Sequence, residues 1–215
     1  MTAILTTLVL SAIFCGLYRQ FAQRRKFLAI PNERSSHLHP TPSGGGVALL
    51  SAFTLGLLLS ATLYGAWDHS FVALSVAALV LMVLGIFDDL HGSSVRLRLL
   101  LYSAICILLS AFLLHGVETG STLRAWALVL LAGLALLWSL NLYNFMDGID
   151  GLAALQTVLA ACSAALLSWL TGHGGHYALF CLLLAAAHCG FLVWNCPPAR
   201  LFMGDAGSVP TGFIL

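Results

Sequence analysis

Charge is scarce in this sequence. Asp, Glu, Lys and Arg together make up 8% of its 215 residues, against about 25% in an ordinary soluble domain. A soluble globule of that length needs far more charge to cover its surface, so that class is excluded. Long runs of one sign are missing too: the formal net charge is +1, with no basic or acidic block, which argues against a nucleic-acid partner. No C-x-x-C pair occurs among Cys15, Cys106, Cys162, Cys181, Cys189 and Cys196. Disulfide and metal frameworks cluster their thiols in loops, so these cysteines read as small apolar packing residues. The apolar runs lack the period-2 alternation of a membrane barrel. No positive stretch precedes the first run, which therefore reads as a retained helix and not a cleaved signal.

What the sequence has in abundance is hydrophobic length, at 60% of all residues. A helix needs about 20 mostly apolar residues to cross a hydrocarbon core of about 30 Å, and backbone groups in lipid must pair internally. Apolar runs at roughly 2–22, 45–66, 71–87, 97–116, 123–143, 152–171 and 177–194 supply seven spans, and an eighth starts near 207. Gly65, Gly116, Gly120, Gly172, Gly174 and Gly175 mark turns between spans. The sequence thus predicts an all-α integral membrane protein, a polytopic helical bundle forming one membrane domain over 1–215. Arg19, Arg24, Arg25, Lys26 and Arg34 follow the first span, Arg96 and Arg98 the third, and Arg200 the seventh, while only Arg124 lies opposite. The positive-inside rule makes the crowded side cytoplasmic and places the N-terminus outside. Trp67, Trp126 and Trp169 fall near the outer boundary and read as aromatic-belt anchors.

No such rule governs acids, so their distribution is more informative. Glu33, Asp88, Asp89, Asp147, Asp150 and Asp205 share the cytoplasmic side, with only Asp68 and Glu118 outside. Carboxylates at a membrane edge in so uncharged a chain are functional candidates. In GIFDDLHGSSVRLRLL, Asp88 and Asp89 are adjacent with no basic residue nearer than Arg96. Neighbouring carboxylates raise each other's proton affinity, which makes the pair a general base near neutral pH or an anchor for a divalent cation. In SLNLYNFMDGIDGLAA, Asn141, Asn144, Asp147 and Asp150 recur every three residues and gather towards one face of a helix end. Amide and carboxylate oxygens with water are the donors Mg²⁺ favours.

Two further loops offer anion contacts. PNERSSHLHPTPSGGGVALL holds Arg34, His37 and His39, and its run Gly44-Gly45-Gly46 enters a span with N–H groups free to bind an anion. In NCPPARLFMGDAGSVPTGF, Asp205 reaches a shared ion, while Gly207 and Ser208 open a helix that can donate to phosphate oxygens. His188, inside the seventh span, reads as a bonded packing residue. The combined chemistry is a Mg²⁺-assisted displacement at a phosphate, between a cytosolic substrate and a lipid.

FDDL at 87–90, NLYNFMDGIDGLA at 141–153 and FMGDAGS at 202–208 resemble, in order and in membrane side, the polyprenyl-phosphate N-acetylhexosamine-1-phosphate transferases of glycosyltransferase family 4. NERSSH and TPSGGG within 32–46 look most like the O-antigen branch. The resemblance implies transfer of a sugar-1-phosphate from a UDP-linked N-acetylated sugar to undecaprenyl phosphate, releasing UMP and requiring Mg²⁺ or Mn²⁺. It places the protein in the bacterial inner membrane with its active site facing the cytoplasm, and makes a homodimer an expected assembly. By motif position, Asn144 and Asp205 would hold the metal. Asp88 would deprotonate or orient the lipid phosphate beside Asp89, and Asp147 and Asp150 would position the nucleotide or support the catalytic cluster. Arg34, Gly45, Gly204, Gly207 and Ser208 would contact substrate.

Family members carry further spans and a late histidine-rich cytoplasmic loop, whereas this sequence stops in its eighth run. A form truncated at its C-terminus relative to the family is therefore expected. A non-catalytic remnant of the fold is one alternative reading. A cation transporter is another, but it predicts acids at mid-depth and internal repeats, and neither occurs.

Overall fold

A computed structural model describes residues 1–29, 40–115, 117, 121–172 and 174–215. Arg34, His37 and His39 lie outside the described residues, as does Glu33. Among the described residues eight helices follow one another: α1 (Thr2–Arg25), α2 (Gly46–Tyr64), α3 (His69–His91), α4 (Val95–Leu113), α5 (Thr122–Met146), α6 (Leu152–Leu170), α7 (Gly175–Asn195) and α8 (Asp205–Ile214). The first seven are long and apolar enough to cross a membrane. A two-residue antiparallel pairing of β1 (Leu28–Ala29) with β2 (Thr41–Pro42) is an element the hydropathy pattern gives no hint of.

Local chemistry sets the helix ends. Side chains of Asp68, Ser94 and Ser121 accept from Ser70, Leu97 and Arg124 N–H at the starts of α3, α4 and α5, satisfying donors that have no partner within the helix. Gly92 ends α3 in the left-handed region at φ 66°. The α3 helix runs one turn further than hydropathy predicts, so Asp88 and Asp89 stand on its last turn and not in a loop.

Packing divides the bundle into two groups. One core gathers side chains mainly from α1, α2, α6 and α7, the other from α3, α4, α5 and α8. The short α8 joins them, packing against α3, α5 and α2, with every residue from Ala206 to Phe213 buried. Outward faces stay apolar, as bilayer solvent requires: Trp138 is 74% and Phe145 85% exposed. Trp126 and Trp169 are likewise exposed, as belt anchors would be. Trp67 departs from that expectation. Its Nε1 donates to Leu57 O at 3.0 Å and its ring meets Phe71 and Phe180 edge-on, because the short α2–α3 turn folds it inward. His188 is fully buried, with Nδ1 on Leu184 O and Nε2 near the Thr211 hydroxyl, as a bonded packing residue should be. All six cysteines are free.

Glycine lets the helices approach closely, since lipid supplies no hydrophobic drive between them. A Cβ at Gly46 would fall on the Gly207 backbone, and one at Gly190 would press on Leu8 O and Ser11 of α1. Gly46→Ala should therefore part α2 from α8, costing about 1–3 kcal/mol by overpacking and lowering Tm by roughly 2–4 °C per kcal/mol. Gly175→Ala, where nothing lies within 4 Å, should leave Tm unchanged. Thermal unfolding of the two variants in one detergent checks the contrast.

Candidate functional site

A helix exposes unpartnered N–H groups at its start, and α8 starts inside the bundle. Asp89, on the last turn of α3, accepts from Asp205 N–H at 3.0 Å and Ala206 N–H at 3.1 Å, one through each carboxylate oxygen. Asp147, in the turn after α5, accepts from Gly204 N–H. Gly204 O takes the N–H groups of Gly207 and Ser208 at 3.0 and 2.9 Å. Two carboxylates, one on the last turn of α3 and one in the turn after α5, thus meet the start of one helix. Burial, then the charge of Asp205, push the Asp147 carboxyl well above the usual carboxylate range, although the Gly204 N–H pulls the other way.

This corrects the expectation of N–H groups free for an anion. Those of Gly45 and Gly46 are committed to Phe202 O and Met203 O, both at 2.9 Å, and Phe202 N–H to Pro42 O at 2.8 Å. The glycine run therefore pairs with the segment leading into α8, and those of Gly204, Gly207 and Ser208 are engaged as described above. The Ser208 side chain is also internal, its hydroxyl donating to Asn144 Oδ1 at 3.2 Å and Gly204 O at 3.0 Å. Gly204 is required as glycine: its φ is +73° and a Cβ would sit 2.8 Å from Asp89 Oδ2.

Beside the capped helix lies an acid pair. The carboxyl groups of Asp88 and Asp205 are within hydrogen-bond reach of one another. Arg98 bridges them, its Nη1 lying 2.7 Å from Asp88 Oδ2 and 3.0 Å from Asp205 Oδ2. Asp88 Oδ1 accepts from Ser93 N–H at 2.6 Å. The Asp88–Asp89 pair is thus not remote from positive charge, as its sequence neighbourhood suggests. The tight turn at Gly92 brings α4 back along α3 and delivers Arg98, while Arg96 faces outward. One turn along α4, the Tyr102 hydroxyl is buried without a partner among the described residues.

Of Asn141, Asn144, Asp147 and Asp150, three reach α8 or the segment leading into it. Asn144 meets Ser208, Asp147 meets Gly204, and Asp150 Oδ2 accepts from Ala199 N–H at 2.8 Å. Asn141 does not join them, because its amide turns back to Leu137 O on its own helix. The helix ends at Met146, so the three-residue spacing does not place all four on one face. Sequence reasoning passed over Asn195, which is 3% exposed. It accepts from Gly151 N–H at 3.1 Å and donates to Leu201 O at 3.0 Å, tying the two motif loops together. An Asn at a span end before Pro197-Pro198 is the signal that marks it. Arg98 was visible only as a topological charge.

The site therefore gathers Asp88, Asp89, Asp147 and Asp205 with one guanidinium at a single end of the bundle. Such a cluster can hold a polyvalent cation, and with it the oxygens of a phosphate.

Comparison with known proteins agrees in family. The model of "Glycosyl transferase family 4" matches residues 71–215. A decaprenyl-phosphate N-acetylglucosaminephosphotransferase of Mycobacterium tuberculosis (strain CDC 1551 / Oshkosh) is 34% identical over 98% of this chain and 57% of its own length. A probable undecaprenyl-phosphate N-acetylglucosaminyl 1-phosphate transferase of Bacillus subtilis (strain 168) is 28% identical over 98% of this chain and 60% of its own. A phospho-N-acetylmuramoyl-pentapeptide-transferase of Neisseria gonorrhoeae (strain NCCP11945) is 26% identical over 81% of this chain and 58% of its own. The chain thus spans under two thirds of the length of these relatives. Seven membrane-crossing helices and bacterial relatives make it a multi-pass bacterial membrane protein. With the motifs at 87–90, 141–153 and 202–208 inside the matched region and its acids brought together there, the chain belongs to glycosyl transferase family 4.

Proposed function

We propose that the protein transfers an N-acetylated sugar-1-phosphate from a UDP-sugar to undecaprenyl phosphate, releasing UMP, as the first step of an O-antigen or related cell-envelope glycan. The observation that carries the reading is the convergence of Asp88, Arg98 and Asp205 at the rim of a membrane bundle. A lipid phosphate held in the bilayer and a water-borne donor meet at such a rim. The names of the relatives, which pair polyprenyl phosphates with N-acetylglucosamine phosphate, support the same substrate classes. The rim is taken as the cytoplasmic face of the inner membrane, because the basic residues crowd it.

Mg²⁺, or Mn²⁺ in its place, suits these donors. Among the described residues no three His, Cys, Asp or Glu side chains form a metal cage. Mg²⁺ commonly takes one or two carboxylates and completes its shell with substrate phosphate and water. Asp205 would supply a carboxylate, with the Asn144 amide oxygen held on Ser208 nearby. Bound there, the ion would neutralise charge on the transferring diphosphate. Both Asp88 oxygens already accept, from Ser93 and Arg98, which suits orienting the lipid phosphate better than abstracting its proton. Arg98 has further N–H donors for phosphate oxygens. A lipid phosphate oxygen then attacks the sugar-bearing phosphorus in line. The new P–O bond forms as the bond to UMP breaks. Asp147 and Asp150 act through the backbone of the α7–α8 segment, fixing where Asp205 stands.

Following label from UDP-GlcNAc into undecaprenyl phosphate in membranes tests the reading. Transfer should need Mg²⁺, stop with EDTA, and fall at least about 100-fold in Asp205→Asn. Wild-type rates in a folded Asp205→Asn would overturn it. Asp89 divides capping from chemistry. Asn keeps one of the two oxygens through which Asp89 caps α8, whereas Ala keeps neither and costs about 1–2 kcal/mol. Asp89→Asn should therefore keep activity within about tenfold of wild type, with Asp89→Ala far lower in activity and in Tm. Equal, complete loss in both would return Asp89 to the reacting centre.

A further inference from the structure

A second polar site lies between α1 and the end of α7. Trp194, on the last turn of α7, is clamped against α1: its Nε1 donates to Ala12 O at 2.8 Å, and Gly16 leaves room for its ring. Two guanidinium groups stand over this one indole. Arg19 of α1 lies 5.6 Å from the ring centroid, and Arg200, from the segment after α7, lies 5.1 Å away. Arg200 is fixed further by its Nη2 on Val193 O at 2.7 Å and its N–H on Trp194 O at 2.8 Å. Like charges sharing a ring repel, and among the described residues the ion pairs formed all involve Arg98, so no carboxylate offsets them. The Arg19 Nε is buried with no acceptor among the described residues.

We propose that Arg19, Trp194 and Arg200 form a binding site for the phosphate group of an anionic phospholipid. The chemistry is that of oxyanion recognition: guanidinium forks match phosphate oxygens in pairs, and the indole holds both forks in place before a ligand arrives. The depth is that of the head groups. Arg19 lies within two turns of the end of α1, and basic side chains there draw anionic lipid. The site belongs to the α1–α7 face, whereas the acid cluster belongs to α3, α5 and α8. The two are linked through the segment carrying Arg200, whose neighbours Ala199 and Leu201 are bonded to Asp150 and Asn195. An occupied site therefore steadies the strand of chain that leads into α8.

The test is thermal unfolding of the whole chain in nanodiscs of phosphatidylcholine, with and without phosphatidylglycerol. Wild type should gain about 2–4 °C with phosphatidylglycerol. Arg19→Gln and Arg200→Gln should each shrink that gain, and the double variant should abolish it. Arg19 makes no hydrogen bond among the described residues, so Arg19→Gln should fold as wild type does. The double variant Arg24→Gln/Arg25→Gln removes as many charges from the end of α1 without touching the indole, and should keep the gain. Loss of the gain in that control would overturn the site in favour of diffuse surface charge. No gain in wild type would overturn it outright. A full gain from inorganic phosphate in phosphatidylcholine discs, with nothing added by phosphatidylglycerol, would overturn the lipid as its source.

Discussion

The N-terminus of α8 is the constraint on which the rest of the site depends. A helix leaves its leading N–H groups without partners of its own, and each one left unsatisfied on burial costs about 1–3 kcal/mol. Asp89 and Asp147 answer that demand from α3 and from the turn after α5. In doing so they lock three parts of the chain that are remote in sequence. The same arrangement explains why so many acids tolerate one another: the positive end of the helix dipole faces them, and Arg98 adds a full charge between the remaining two. Without α8 the cluster would be a set of mutually repelling carboxylates.

Close approach is the second requirement, and it reaches the site through glycine. The backbone bonds from Gly45 and Gly46 to Phe202 and Met203 bring the start of α2 against the chain entering α8. Gly85 allows the backbone at Asp205 and Ala206 to lie directly on α3. Residues that look from sequence like an anion-binding loop are thus a packing device that sets the height of Asp205. This is the ordinary logic of helix association in lipid, where small residues replace hydrophobic drive.

Hydropathy made the helices legible, because a bilayer demands long apolar runs whatever their partners. The shared side of the acids was legible too, since spans alternate. Partner choice was not. Nothing local in FDDL shows that Asp88 meets a guanidinium ten residues on, or that Asp89 meets backbone N–H groups more than a hundred residues away. Trp67 looked like a boundary anchor because composition records that a ring is near an interface, not which way it turns. Asn195 escaped notice because an amide beside two prolines reads as a helix end, and its two bonds link loops that only the fold brings together.

The adjacent aspartates show why a motif need not have one job. Neighbouring residues on a helix point about 100° apart, a consequence of 3.6 residues per turn. On the last turn of α3 that angle sends Asp89 into the start of α8 and leaves Asp88 facing Arg98 and Asp205. Both carboxylates cannot serve one ligand without unwinding that turn or uncapping α8. Their proximity in sequence therefore works by dividing them: one carboxylate fixes the helix that carries Asp205, and the other meets Asp205 from across the gap. Any chemistry at this site inherits that geometry, because moving Asp89 moves the helix on which the opposing acid stands.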